Sequence, residues 1–223
     1  MKPESFDDFG YAIVPGILPP DECDAIAARV DPGRESVGSR GLLANPWCID
    51  LAARLRHHPA LSTLIGADDV AVQCTCFEKS ASRNWLVPIH QDLSIPVAAR
   101  VPDPRLAGWS LKEGTHFVQA PAELLQRMVA VRLHLDACTA QDGPLRVVPG
   151  SHRLGVIDAE AAPRVRREMA EVDCVAPVGA ALVLRPLLLH ASSKASGESR
   201  RRVLHFLFGP ADPPNGLRWQ HAA

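Results

Sequence analysis

The chain has 223 residues, 47% of them hydrophobic and 22% charged, an ordinary globular composition with enough length to bury a sizeable core in one domain. Lys+Arg 24 against Asp+Glu 25 gives a net charge of -1, so the balance offers no footprint for a nucleic-acid backbone or an anionic membrane. Met1 to Gly10 carries acids and no apolar signal-like stretch, and no run approaches the roughly 18 apolar residues of a membrane span, so a cytoplasmic location with a small-molecule partner is expected.

In chain order, the first helix is expected from Pro19-Pro20 through Val30. Asp21 and Glu22 suit a first turn, and Cys23, Ile26, Ala27 and Val30 recur at helical spacing. A second helix spans Ile49 to Arg56 and stops at His57-His58-Pro59. From about Val70 the texture changes to short apolar runs separated by Pro, Gly, Asp and Ser. They are Val70 to Phe77, Leu86 to Leu93, Met128 to Leu135, Leu145 to Val148, Ala180 to Leu184 and Val203 to Phe208. Such spacing predicts an all-β sandwich or barrel with helices outside it. The expected organisation is one domain over 1–223, helical in about 1–69 with a strand core in about 70–210. Between the second and third runs, Val101 to Gln119 is rich in Pro, Gly and charge and reads as a lid loop.

Within the second run, a strand reading of Val87 to Leu93 places His90 and Asp92 on one face, because side chains alternate with period two. Far downstream, Leu187-Leu188-Leu189-His190 reads as a buried strand ending in a second histidine. Two imidazoles and one carboxylate form the set expected at non-heme Fe(II) sites that leave one metal face open. Alone, a His-x-Asp pair is weak evidence. After His190 come the loop to Ser199 and then Arg200-Arg201-Arg202, which sets cations close to a metal ligand. Alternation groups Arg201 with Val203 and His205, and Arg201 is expected to face inward, with the other two arginines solvated at a strand edge. A planar guanidinium suits the remote carboxylate of a chelating dicarboxylate.

The strand Val129 to Asp136 alternates Val129, Val131, Leu133 and Leu135 with Ala130, Arg132, His134 and Asp136. The polar face suits either solvent or an internal pocket. Arg132, His134, Trp85, Arg83 and Lys79 are the candidate substrate-binding residues. Lys79 and Arg83 suit an anionic substrate or cosubstrate. The six cysteines are scattered without zinc-site spacing and read as buried free thiols, the Cys74-Thr75-Cys76 pair as packing.

Several segments together resemble the phytanoyl-CoA dioxygenase family. They are Phe9-Gly10-Tyr11 with Val14-Pro15-Gly16, Asn84-Trp85 before Pro88-Ile89-His90-Gln91-Asp92, Gly143-Pro144-Leu145-Arg146-Val147-Val148-Pro149-Gly150-Ser151-His152, and His190-Ala191-Ser192 followed by Arg201. The resemblance implies a mainly β double-stranded β-helix, a cupin-like jelly roll with flanking α-helices. It implies catalytic iron on His90, Asp92 and His190, and 2-oxoglutarate held by Arg201 with Ser192. The implied activity is O2-dependent hydroxylation or desaturation of a small metabolite with release of succinate and CO2. Asp92 speaks against halogenation, since related halogenating enzymes lack that carboxylate. His152 is expected to be hydrogen-bonded structure, and Gln91, between two ligands, has no assigned role. A cupin-like metal-dependent isomerase would use the same three ligands without Arg201, and a non-catalytic metal-binding module would need no cosubstrate clamp.

Overall fold

The computed structural model describes residues 3–30, 38–197 and 200–223. Met1, and Glu198 with Ser199 at the end of the loop expected after His190, lie outside the described residues. Helix α1 (Pro3–Phe9) leads into strand β1 (Tyr11–Val14), then α2 (Pro20–Arg29), β2 (Gly38–Ser39), α3 (Pro46–His57), β3 (Asp69–Lys79) and β4 (Val87–His90). They are followed by β5 (Ser94–Val97), β6 (Ala107–Lys112), β7 (Thr115–Gln119), α4 (Ala122–Arg127), β8 (Val129–His134) and β9 (Leu145–Val147). The chain closes with α5 (Ala162–Glu168), β10 (Val172–Cys174), β11 (Ala181–Leu184), β12 (His190–Ser192) and β13 (Arg201–Pro210). A six-stranded sheet in the order β1-β11-β8-β13-β3-β2 faces a four-stranded sheet, β10-β9-β12-β4, and β5-β7-β6 form a third.

Both expected helices form, for the reasons the sequence supplies. Each begins with a proline in its first turn, where the missing N–H has no partner to lose. In α3 the buried residues Cys48, Leu51, Ala52 and Leu55 make one stripe. That stripe, with Cys23, Ile26 and Ala27 of α2, packs on Cys74 and Cys76 of β3, Val129, Val131 and Leu133 of β8, and Leu204, Phe206 and Phe208 of β13. Alternate residues on the same strands turn to the other face, the interior between the two sheets. All six cysteines are buried and free.

Three expectations need correction, and the choice left open for the polar face of β8 is decided. Strand β8 is buried along its whole length, polar residues included, because it lies between β11 and β13 with helices over one face and the barrel interior over the other. Leu187 to Leu189 precede a strand, and His190 opens β12 instead of closing it. The N-terminal part contributes β1, which pairs with β11 at the sheet edge. The segment Val101 to Gln119 is no structureless lid: β6 and β7 form a hairpin paired to β5. Its turn is Glu113-Gly114, both at positive φ (50° and 78°), the requirement of the tight turns that match strand twist.

Among the described residues no helix is long and apolar enough to cross a membrane.

Candidate metal centre

His90 and His190 meet because β4 and β12 pair antiparallel with these two residues in register. Their ring centroids are 4.2 Å apart. Asp92 reaches the same point by a different route from the one alternation predicts. Strand β4 ends at His90, and the Asp92 N–H donates to the carbonyl of Pro186 at 2.9 Å, which turns the carboxylate back to the histidines. His90 Nε2 lies 3.7 Å from Asp92 Oδ1, and His190 Nε2 lies 3.6 Å from Asp92 Oδ2. One ligand atom from each residue falls within 4.8 Å of the others, a group able to hold a metal ion.

The donor chemistry fits iron. His90 Nδ1 is 2.8 Å from the Pro88 carbonyl and His190 Nδ1 is 2.9 Å from the Leu188 carbonyl. A carbonyl only accepts, so both Nδ1 atoms carry the proton and both Nε2 lone pairs point inward. Burial opposes the Asp92 charge, but the neighbouring His190 and His90 imidazoles outweigh it and hold the carboxyl far below its ordinary range. Burial pushes His190 down to about 4. For His90 burial also acts downward, and the Asp92 carboxylate overrides it, so the net shift is upward.

Gln91, which the sequence leaves without a role, points the opposite way and clamps the segment. Its Nε2 donates to the carbonyls of Leu187 (2.6 Å) and Gly155 (2.8 Å), and its Oε1 accepts from the Ile157 N–H (2.8 Å). His152 is structural as expected, with Nε2 3.0 Å from the Asp7 carbonyl.

The triad opens on a cavity of about 220 Å³. Arg201 is 4% exposed and projects into it, its Nε buried without a partner, and no carboxylate pairs with it among the described residues. Its neighbours behave differently. Arg200 binds Glu78 at 2.8 Å and Arg202 binds Asp136 at 2.7 Å, so these two are ion-paired instead of simply solvated. Ser192 also faces the cavity, and its Oγ accepts from Lys79 Nζ at 2.9 Å. The ammonium further donates to the Ser193 carbonyl. Burial first, then the charges of Arg201 and Arg132, bring Lys79 down to about 8.

Of the other candidates, Trp85 and Arg132 are on the wall, with Lys79 Nζ 5.5 Å from the Trp85 ring centroid. Arg83 and His134 are not: Arg83 pairs with Glu78 at 3.2 Å, and the His134 ring nitrogens are buried without partners. Phe77 and Gln73, which are not among the sequence candidates, also line the cavity, as does His205, which alternation places on the Arg201 face. Their signal was available, since Gln73, Phe77 and Lys79 alternate along β3 as Arg201, His205 and Leu207 do along β13.

Residues 6–203 match the family model of phytanoyl-CoA dioxygenase (PhyH). The chain belongs to that family. The phytanoyl-CoA dioxygenase family lies within the Fe(II)/2-oxoglutarate-dependent oxygenases, and iron and 2-oxoglutarate are its cofactors. Among characterised relatives, L-proline trans-4-hydroxylase of Streptomyces griseoviridis is 26% identical over 200 residues, covering 75% of this chain and 67% of that one. The apoform of EctD from S. alaskensis superposes with a TM-score of 0.69 at 18% identity, over 94% of this chain and 76% of EctD. The epimerase SnoN from nogalamycin biosynthesis, in complex with Fe3+, alpha ketoglutarate and nogalamycin RO, gives 0.67 at 16% identity over 96% and 85%. At such identities the likeness concerns the fold, the double-stranded β-helix of the 2-oxoglutarate oxygenases.

Proposed function

We propose that this phytanoyl-CoA dioxygenase family member is an oxygenase that hydroxylates or desaturates a small-molecule metabolite with release of succinate and CO2. The observation that carries the reading is the pairing of the triad with a buried Arg201 that has no ion-pair partner among the described residues, both in one cavity. A metal-dependent isomerase or a passive metal-binding module has no use for that cation. Hydroxylation as the outcome draws support from the relative named L-proline trans-4-hydroxylase.

In this reading His90, Asp92 and His190 hold the iron, and bound iron with 2-oxoglutarate and O2 supplies the oxidant for an unactivated C–H bond. The backbone carbonyls of Pro88 and Leu188 keep both imidazoles in the ligating tautomer. Arg201 receives the remote carboxylate of 2-oxoglutarate through its guanidinium fork. Ser192, whose oxygen already accepts from Lys79, has its hydroxyl proton left to donate to that carboxylate. Trp85 and Phe77 close the wall and exclude water from the reacting centre.

The test is anaerobic addition of Fe(II) and then 2-oxoglutarate, followed by the visible charge-transfer band of the chelate. A band in the intact protein that is lost in His190→Ala supports the assignment; no band, or one unchanged in the variant, overturns it.

A further inference from the structure

Among the described residues, the cavity wall carries Lys79, Arg132 and Arg201 but a single carboxylate, Asp92, which belongs to the triad. Elsewhere this chain supplies its arginines with partners: Glu78 for Arg200 and Asp136 for Arg202. A buried cation left without an anion is a standing destabilisation, tolerated where a ligand is to provide the charge. 2-Oxoglutarate brings two carboxylates. One is required for chelation, and the other meets Arg201 and Lys79, which are register partners across β13 and β3. Arg132 is left over.

Its placement separates it from the cosubstrate anchor. Arg132 stands on β8 in register with His205 of β13, four residues beyond Arg201. Its Nη1 hydrogen-bonds His205 Nδ1 at 3.1 Å and its guanidinium lies 5.5 Å from the centroid of the Phe77 ring. A guanidinium has five N–H donors, so most of its capacity is unspent on a side chain 8% exposed and turned into the cavity. It lines the same cavity as Asp92, His190 and Arg201.

We propose that Arg132 binds an oxyanion of the primary substrate, so that this enzyme acts on a small molecule bearing a carboxylate or phosphate group. The inference rests on the oxygenase reading and names its substrate class. His205 fixes the guanidinium by its Nδ1 lone pair, and Phe77 fixes its plane, so the fork is preorganised for a bidentate contact.

The test uses the full chain loaded anaerobically with Fe(II) and 2-oxoglutarate. Probes are the L-amino acids, the straight-chain carboxylates from butanoate to octanoate, the amides of both sets, and the matching alkyl phosphates. Binding is read by perturbation of the chelate band and by calorimetry, and turnover by succinate release in air. Acids or phosphates are expected to perturb the band while their neutral amides do not, and whichever anion responds identifies the group. Arg132→Met is expected to weaken that anion roughly thirty-fold or more, while the 2-oxoglutarate titration stays within about threefold, which also reports an intact fold. Arg132→Lys should recover part of the loss. The proposal is overturned if amides and anions bind alike, if no anion responds in protein that forms the band, or if Arg132→Met loses 2-oxoglutarate as Arg201→Met does. A wild-type protein that forms no band overturns the oxygenase reading itself, and this inference with it.

Discussion

Arg201 and Lys79 stand opposite each other on neighbouring strands, two cations in register with both side chains turned into one cavity. Like charges facing across a strand pair are destabilising, and here both are also buried. The arrangement is therefore a burden on the empty protein and an asset once a dicarboxylate arrives. Arg201→Met is expected to weaken 2-oxoglutarate by about 2–5 kcal/mol, the cost of removing one partner of a buried charge pair. The same change should leave the protein without ligand as stable as before or more so. Titration of the chelate band and urea unfolding of the apoprotein check the two halves. A loss of apoprotein stability would show that Arg201 holds the fold together instead of the cosubstrate.

The pH dependence of cosubstrate binding follows from Lys79, brought down to about 8 by burial and the neighbouring Arg201 and Arg132. As pH rises through that value the ammonium loses its charge, so 2-oxoglutarate affinity is expected to fall above about pH 8. Folding stability has the opposite sign. The unfolded chain keeps this proton to about 10.5 and the folded one releases it near 8, so this group makes the apoprotein more stable as pH rises across that window. Lys79→Arg should hold its affinity to higher pH. A flat wild-type profile from pH 7 to 10 would remove Lys79 from the cosubstrate site.

How far the sequence can be read differs by feature, and the reason is physical. Residues whose placement follows local periodicity are legible: the buried stripe of α2, the alternation of β8, the inward turn of Arg201. Asp92 was assigned correctly to the cluster but by a geometry the chain does not use. Its position depends on a hydrogen bond to Pro186, a partner ninety-four positions away that no local pattern announces. The β6–β7 hairpin reads as a loop from the sequence because Pro and Gly around it mask the signal of Glu113-Gly114 between alternating segments. The partners of Arg200 and Arg202, Glu78 and Asp136, lie on adjacent strands, so their pairing becomes visible only with the strand order.

Gln91 is a positioning residue for the triad, since it lies between two ligands and its amide ties together Leu187, Gly155 and Ile157. Gln91→Glu keeps the shape but sets carboxylate oxygen against two carbonyls that now receive N–H. The expected result is about 10- to 100-fold weaker metal binding together with about 1–3 kcal/mol of lost stability. Competition with a chelator for Fe(II) or Mn(II) measures the first and urea unfolding the second. Lost stability with unchanged metal affinity would reduce Gln91 to packing.

Gly143 lets the chain between β8 and β9 press against the loop that follows β12. It has φ +61°, and an added Cβ would lie 2.5 Å from the Ser193 carbonyl oxygen and 3.1 Å from Lys79 Nζ. The Ser193 oxygen is itself an acceptor for Lys79, so the closest atom an alanine meets is backbone, which cannot swing aside as a side-chain tip can. Gly143→Ala combines the left-handed penalty of about 1–2 kcal/mol with displacement of the seat that aims the ammonium at Ser192. Stability is expected to drop by at least about 1–2 kcal/mol, and 2-oxoglutarate affinity should drop with it while metal affinity holds, because the triad is fixed through Pro186, Pro88 and Leu188. Parallel titrations with Mn(II) and with 2-oxoglutarate separate the two sites. Equal losses in both would mean that the loop after β12 carries His190 with it, and that the metal and cosubstrate sites deform as one unit.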